Sequence, residues 1–265
     1  MLSKARIKQI HSLEHKKHRR QEGLFVAEGH KLVGELLSAG HHPAYVCHTP
    51  QWSVPVDLSF KANVGNCPVD IITESELYSA SLLQHPQQVL ALFPIPQWQI
   101  PLPEAGGKHL LLALDGVQDP GNLGTICRLA DWFGIEDIIC SQETADIFNP
   151  KATQATMGAL SRVKVHYTDL AVFLQEASSL SVPIYGTFLD GKNIYERQLT
   201  PNGIIVMGNE GKGISHAIAS LVSDRLFIPN YPQDRPTTES LNVAVATAIT
   251  CAEFRRRTLV SGTIG

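Results

Sequence analysis

The sequence predicts an α/β fold: a parallel-sheet domain toward the C-terminus and a smaller α/β domain before it. Three observations predict it. From His109 onward, short apolar runs alternate with stretches of helical period, the pattern of a parallel sheet with helices on both faces. The stretch FPIPQWQIPLPEAGGKH, residues 93–109, holds four prolines and a Gly pair, which argue against helix and central strand. The 265 residues are 43% hydrophobic and 18% charged, enough apolar material for a core on each side of that break. Residues 1–95 are therefore read as one domain, 96–108 as a semi-rigid linker and 109–265 as a second domain.

The elements follow in order. LFVAEG reads as a short strand. HKLVGELLSAG places Leu32, Val33, Leu36 and Leu37 on one helical face and stops at Gly40. AYVCHT and QQVLALF are strands, and Thr73 to Glu76 has capping-box spacing before a short helix. In the second domain, HLLLAL is a strand, and Leu123, Ile126, Cys127, Ala130 and Phe133 then recur at helical spacing. EDIIC, VKVHY, VPIYGTFL, GIIVMG and RLFIP are strands; NPKATQATMGAL and LAVFLQEASS are helices. SLNVAVATAITCAEFRRR is a long apolar helix with three Arg in its last turn, where cations favour the helix dipole.

Composition excludes several classes. No apolar run approaches the ~20 residues that span a bilayer. The basic start lacks the apolar segment of a secretory signal, so a cytoplasmic location is expected. Cys47, Cys67, Cys127, Cys140 and Cys251 show no C-x-x-C spacing, so structural thiols and no metal site are expected. Residues 1–31 hold eight Lys/Arg and three Glu, 8 − 3 = +5; the remainder holds 14 and 22, 14 − 22 = −8. A basic arm on an acidic body suits a polyanion such as nucleic acid, although a solvated charged helix has the same composition.

Three turns after strands carry unusual chemistry. DPGNLGTICR, after HLLLAL, has neither the dinucleotide fingerprint nor the Lys of a P-loop. Asn122 lies at the helix entry, and Arg128 falls off the apolar face. Either they serve a ligand, or Asn122 caps the helix and Arg128 pairs with Asp131. GIIVMGNEGKGIS packs Gly208, Gly211 and Gly213 around Glu210 and Lys212, which lets a ligand approach the backbone. IPNYPQDRPTTESLNVAVATAI brings Ser240, Leu241 and Asn242 to the start of the last helix, where Ser240 is a candidate cap and free N–H groups can meet a ligand.

These segments, in this order, resemble the SpoU (TrmH) family of RNA ribose 2′-O-methyltransferases within the SPOUT superfamily. The resemblance rests on DPGNLGTICRLADWFGI, NPKATQATMGALSRVKV, GIIVMGNEGKGIS and IPN followed by SLNVAVATAI, nearly all of 109–257. FVAEGHKLVGELLSAG and HPQQVLALF are more loosely similar to the family's RNA substrate-binding domain, which resembles ribosomal proteins that bind kink-turn RNA. The resemblance implies a deep trefoil knot in the second domain, an S-adenosylmethionine pocket within it and a homodimer. Its cofactor contacts carry over to Gly208, Asn209, Gly211, Ile228, Leu241 and Thr187. Its catalytic and RNA-facing positions carry over to Arg128, Asn122, Glu210, Ser240 and Asn242. Ribosomal RNA is the expected target; transfer RNA, or RNA binding without catalysis, are the alternatives, and a nicotinamide enzyme lacks its fingerprint. Three departures stand out: a longer loop with Tyr231, Asp234 and Arg235, Ala244 for a usual Ser, and Asp119 and Gln154 for a typical Asn and Arg.

Overall fold

The computed structural model describes residues 2–52, 67–232, 238 and 240–261; Asp234 and Arg235 lie outside them. The chain forms two compact units, Met1–Gln97 with Asp146–Arg162, and Trp98–Ala145 with Val163–Gly265.

In the first unit, helices α1 (Lys4–Ser12) and α2 (Lys16–Glu22) precede strand β1 (Leu24–Glu28), helix α3 (His30–Ser38) and strand β2 (Tyr45–His48). Strand β3 (Val69–Ile71), helix α4 (Glu74–Ala80) and strand β4 (Val89–Pro94) follow. The sheet order is β1-β4-β2-β3, antiparallel except for the β2–β3 pair. Leu32, Val33, Leu36 and Leu37 are the buried face of α3, and Gly40, at φ +84°, takes the left-handed turn beyond its end. The capping box of α4 forms as expected: Thr73 N–H donates to Glu76 at 2.9 Å, and Glu76 N–H to Thr73 Oγ1 at 3.2 Å. Helix α6 (Pro150–Ala155) belongs to this unit, and Phe148 packs on Phe25 with ring centroids 5.0 Å apart.

The second unit is a six-stranded, wholly parallel sheet in the order β10-β8-β9-β5-β6-β7. Its strands are β5 (Leu110–Asp115), β6 (Asp137–Cys140), β7 (Lys164–Tyr167), β8 (Ile184–Asn193), β9 (Gly203–Gly208) and β10 (Asp224–Phe227). Its helices are α5 (Pro120–Trp132), α7 (Leu170–Ser179), α8 (His216–Ala219) and α9 (Val243–Ser261). Leu110 to Leu114 and all of β9 are buried, because helices cover both faces and no side of the strand meets water. Each fully buried Leu there contributes about 2 kcal/mol. Residues 98–108 also belong to this unit: Pro103 and Gly106 are buried in a short 3₁₀ turn, and a Cβ on Gly106 would meet Val182 at 2.8 Å.

Two details differ from the sequence reading. The three arginines do not end the last helix, which continues to Ser261. Arg255 instead donates to the carbonyls of Phe133 and Gly134, at 2.7 and 3.0 Å, and so covers the C-terminal end of α5. Arg256 and Arg257 pair with Glu253 at 2.8 and 2.7 Å. All five cysteines are free, and burial pushes the thiols of Cys47 and Cys251 up to about 12, which leaves them unreactive.

Candidate active site

The C-terminal ends of β8, β9 and β10 open into a cleft of about 310 Å³, where open parallel sheets receive ligands. One wall comes from an irregularity in the sheet. Arg225 of β10 pairs with Gly186, but the next residue, Leu226, pairs with Lys192. Residues 187–191 therefore leave the ladder, and Thr187, Phe188 and Leu189 turn into the cleft. Arg225 braces this excursion, with its guanidinium 3.5 Å from the Phe188 ring centre and 2.6 Å from Asp190. Ile228 and Leu241 add apolar surface opposite.

The glycine loop supplies the floor. Gly208 ends β9 at a point where a Cβ would overlap the backbone of Gly213 and Ile214, so only glycine fits. Asn209 spends its side chain on the loop itself. Its Nδ2 donates to Gly116 O at 2.7 Å, and its Oδ1 accepts from the N–H groups of Gly211 and Lys212, both at 3.0 Å. Thr187 Oγ1 donates to the Met207 sulfur at 3.7 Å.

A chain of polar side chains crosses the mouth of the cleft. Glu210 Oε1 accepts from Asn122 Nδ2 at 3.0 Å and from Asp119 N–H at 3.1 Å; its Oε2 accepts from Gln118 N–H at 3.1 Å. Asn242 Nδ2 donates to Asn122 Oδ1 at 3.0 Å. Burial pushes the Glu210 carboxyl upward, but the hydrogen bonds it accepts outweigh that and hold it below the usual range. Charge on Glu210 then fixes every amide in the chain. A carboxylate only accepts, so Asn122 must turn its NH₂ toward it and its carbonyl toward Asn242.

This corrects both capping expectations. Asp119, not Asn122, caps α5, accepting from Asn122 N–H at 2.8 Å. Asn242, not Ser240, caps α9, accepting from Ala244 and Val245 N–H at 2.9 and 3.3 Å. Asn122, Glu210 and Asn242 are thus brought together. Gly208, Asn209, Gly211, Ile228, Leu241, Thr187 and Ser240 line the cleft beside them. Arg128 is exposed, and its side chain makes no ion pair or hydrogen bond among the described residues. Sequence reasoning missed Phe188, Leu189 and Arg225; Gly186 and Gly191, bracketing the excursion, were the available signal. Among the described residues, no cluster of three His, Cys, Asp or Glu is placed to hold a metal ion.

Residues 109–252 match the SpoU rRNA Methylase family, and residues 4–91 match the MRM3-like substrate binding domain. The chain belongs to the SpoU family. The SpoU chain is 30% identical over 251 residues to 23S rRNA (guanosine(2553)-2′-O)-methyltransferase RlmP of Bacillus subtilis, covering 94% of this chain and 96% of that protein. It is similar in structure to a TrmH-family protein from Porphyromonas gingivalis, at 40% identity and TM-score 0.83, covering 97% and 99% of the two chains. An AdoMet-bound rRNA methyltransferase from Sinorhizobium meliloti matches at 30% identity and TM-score 0.83, covering 97% of this chain and 96% of that one.

Proposed function

We propose that this SpoU protein transfers the methyl group of S-adenosylmethionine to a ribose 2′-hydroxyl of ribosomal RNA. The observation that carries this reading is the chain Glu210–Asn122–Asn242 at the mouth of the cleft. The cleft suits the cofactor: apolar walls at Ile228 and Leu241 fit a purine face, and the loop from Gly208 exposes backbone close to a ligand. The cofactor supplies a methyl already electrophilic on its sulfonium. Transfer of that methyl to the 2′-oxygen would leave S-adenosylhomocysteine and release the hydroxyl proton to solvent.

The protein's part is placement and charge. Arg128, exposed and without a partner among the described residues, is available to grip a phosphate and stabilise the developing alkoxide. A guanidinium offers donors and no free acceptor lone pair, so it is poorly suited to be the base. Asn122 and Asn242 orient the ribose and Arg128, Glu210 holds both loops still, and Ser240 stands at the RNA-facing rim. Gly208, Gly211, Ile228, Leu241 and Thr187, which line the cleft, would hold the cofactor, and Asn209 would shape the loop beneath it.

Residues 1–95 serve as the RNA substrate-binding domain and 109–265 as the methyltransferase domain in this reading, as the matches at 4–91 and 109–252 support, although 98–108 pack with the second unit and 146–162 with the first. The trefoil knot is part of the same reading, supported by the SpoU family match and the TrmH-family structural neighbour. So is a homodimer: Trp132 of α5 and Val245 of α9 are exposed apolar residues on helices that pack together. A cytoplasmic location belongs to the same reading, supported by the similarity to an rRNA-modifying protein.

The test is incubation of the protein with deproteinised 23S rRNA, and separately with transfer RNA, in the presence of methyl-labelled S-adenosylmethionine, followed by mapping of 2′-O-methyl positions. Label at one ribose is the expected result. Label in transfer RNA alone points to the alternative substrate. Cofactor binding without transfer to any RNA points to an inactive RNA-binding relative.

A further inference from the structure

Among the described residues of the first unit, the side chains of Arg19 and Glu28 are deeply buried, at 1% and 4% exposure. Both hold walls of one cleft. Arg19 donates to the carbonyls of Leu13 and Glu14, at 2.8 and 2.7 Å, and reaches Asp146 Oδ2 at 2.6 Å. Asp146 in turn accepts from Phe148 N–H at 3.0 Å. The end of α1 is thereby stapled to the chain that leads into α6. Glu28 accepts from Leu82 N–H at 2.8 Å and from the Ser81 hydroxyl, which pins the loop after α4. A buried charge is unfavourable unless fully partnered, and apolar residues would fill the same space without that penalty. What the charges add is direction: each fixes particular backbone atoms.

Between these three pieces lies a cleft of about 460 Å³, within the range of small-ligand sites. Leu83, Pro150 and Ala155 give it apolar surface. Gln84 and Gln154 give it two side-chain amides, neither hydrogen-bonded to another described residue. An amide presents a donor beside an acceptor, the complement of a nucleobase edge. Lys151 lines the cleft, and the exposed Lys16 and Lys17 follow Glu14 at its edge, a positive rim suited to phosphate.

We propose that this cleft receives one unpaired nucleobase of the RNA substrate, held against Leu83 and Pro150 and read along its edge by Gln84 and Gln154. It is a base-recognition site additional to the methyl-transfer site, and it rests on the RNA reading above. RNA is recognised by sequence mainly where bases are unstacked and splayed into pockets. Arg19 and Glu28 are positioning residues for it, since neither lines the cleft.

The full-length protein decides this with two variants. Ala155→Phe fills the cleft, and Gln154→Leu removes an amide with little change in volume. Both are assayed for methyl transfer to deproteinised 23S rRNA and to assembled ribosomal particles, with cofactor affinity measured by calorimetry. Each should raise KM for RNA about tenfold, while kcat and cofactor affinity stay within about twofold. Should Ala155→Phe fail to fold, Gln154→Leu decides alone. An unchanged KM with naked RNA overturns the base site while leaving methyl transfer standing; a defect seen only on assembled ribosomal particles assigns the cleft to a protein contact and overturns it too. Wild-type protein that methylates no RNA overturns the RNA reading and this inference with it.

Discussion

Asn242 donates its side-chain amide to Asn122 at 3.0 Å and joins the first turns of two helices whose residues are 120 apart in sequence. The same Asn242 caps its own helix through Oδ1, accepting from Ala244 and Val245. Its two ends therefore do separable work. Asn242→Asp keeps the capping oxygen but replaces the donor that Asn122 needs. It should fold nearly as well as wild type and lose methyl transfer by roughly 10- to 100-fold. Asn242→Ala should lose the same activity and also about 1 kcal/mol of stability. The comparison of denaturation midpoints with kcat separates the roles; equal activity in the Asp variant and wild type would sink the positioning argument.

Glu210 and Glu28 should respond to pH with opposite sign. Burial raises the Glu210 carboxyl, but the bonds from Asn122 and three backbone N–H groups, including its own, prevail, and its folded pKa lies below the ordinary value. A depressed acid contributes stability above its unfolded pKa and loses it as pH falls through the folded one. The stability gap between wild type and Glu210→Gln should therefore narrow as pH drops below about 4.5, the unperturbed carboxyl range. Burial raises Glu28 despite the bonds from Ser81 and Leu82. Its contribution is fullest at low pH and falls as pH rises through the raised value, so Glu28→Gln should gain on wild type toward neutrality. Urea titrations across pH 3 to about 8 read both; curves of one sign contradict the assignment.

How much of this was legible from sequence depends on the range of the interaction. The strands of the second unit read plainly, because Leu110 to Leu114 and Gly203 to Gly208 are buried on both faces and so are apolar without interruption. The Thr73 capping box read plainly because it is local. The identity of the other caps did not. DPGN offers two side chains able to cap, and what frees Asn122 from that task is Glu210, 88 residues away, together with Asn242. The excursion at 187–191 is visible only once β10 has chosen its register. Segment 146–162 was equally opaque: helical period in NPKATQA says nothing about which core it joins, and that is decided by Arg19 meeting Asp146.

That meeting carries its own expectation. Arg19 uses Nε and Nη2 on Asp146, at 3.3 and 2.6 Å, while Nη1 serves two backbone carbonyls. Arg19→Ala strands the partly buried Asp146 and should cost about 3 kcal/mol. Arg19→Lys retains the charge but not the planar fork, and should recover only a minority of the loss. Full recovery by Lys, read by thermal denaturation, contradicts a directional role for the guanidinium.

Gly208→Ala tests the floor of the cleft. The added methyl would overlap the backbone of Gly213 and Ile214, so the loop must move as a whole. Because Asn209 ties that loop to Gly116, the shift spreads across the site. S-adenosylmethionine affinity should fall on the order of tenfold or more, with a stability loss of about 1–3 kcal/mol. Isothermal titration reads the first and chemical denaturation the second; a variant that binds the cofactor as wild type does would show that the loop is not the floor.

Arg128 gives the opposite profile. It is exposed and unpaired among the described residues, so Arg128→Ala should leave stability within about 0.5 kcal/mol of wild type. It lines no part of the cleft, so cofactor affinity should also hold. Its guanidinium is assigned to the reacting ribose and its phosphate, where removal of one charged donor costs roughly 10²- to 10³-fold in kcat. Arg128→Lys keeps a positive charge without bidentate geometry and should fall between. Single-turnover methyl transfer beside cofactor calorimetry gives the split. Wild-type turnover in Arg128→Ala removes Arg128 from the mechanism.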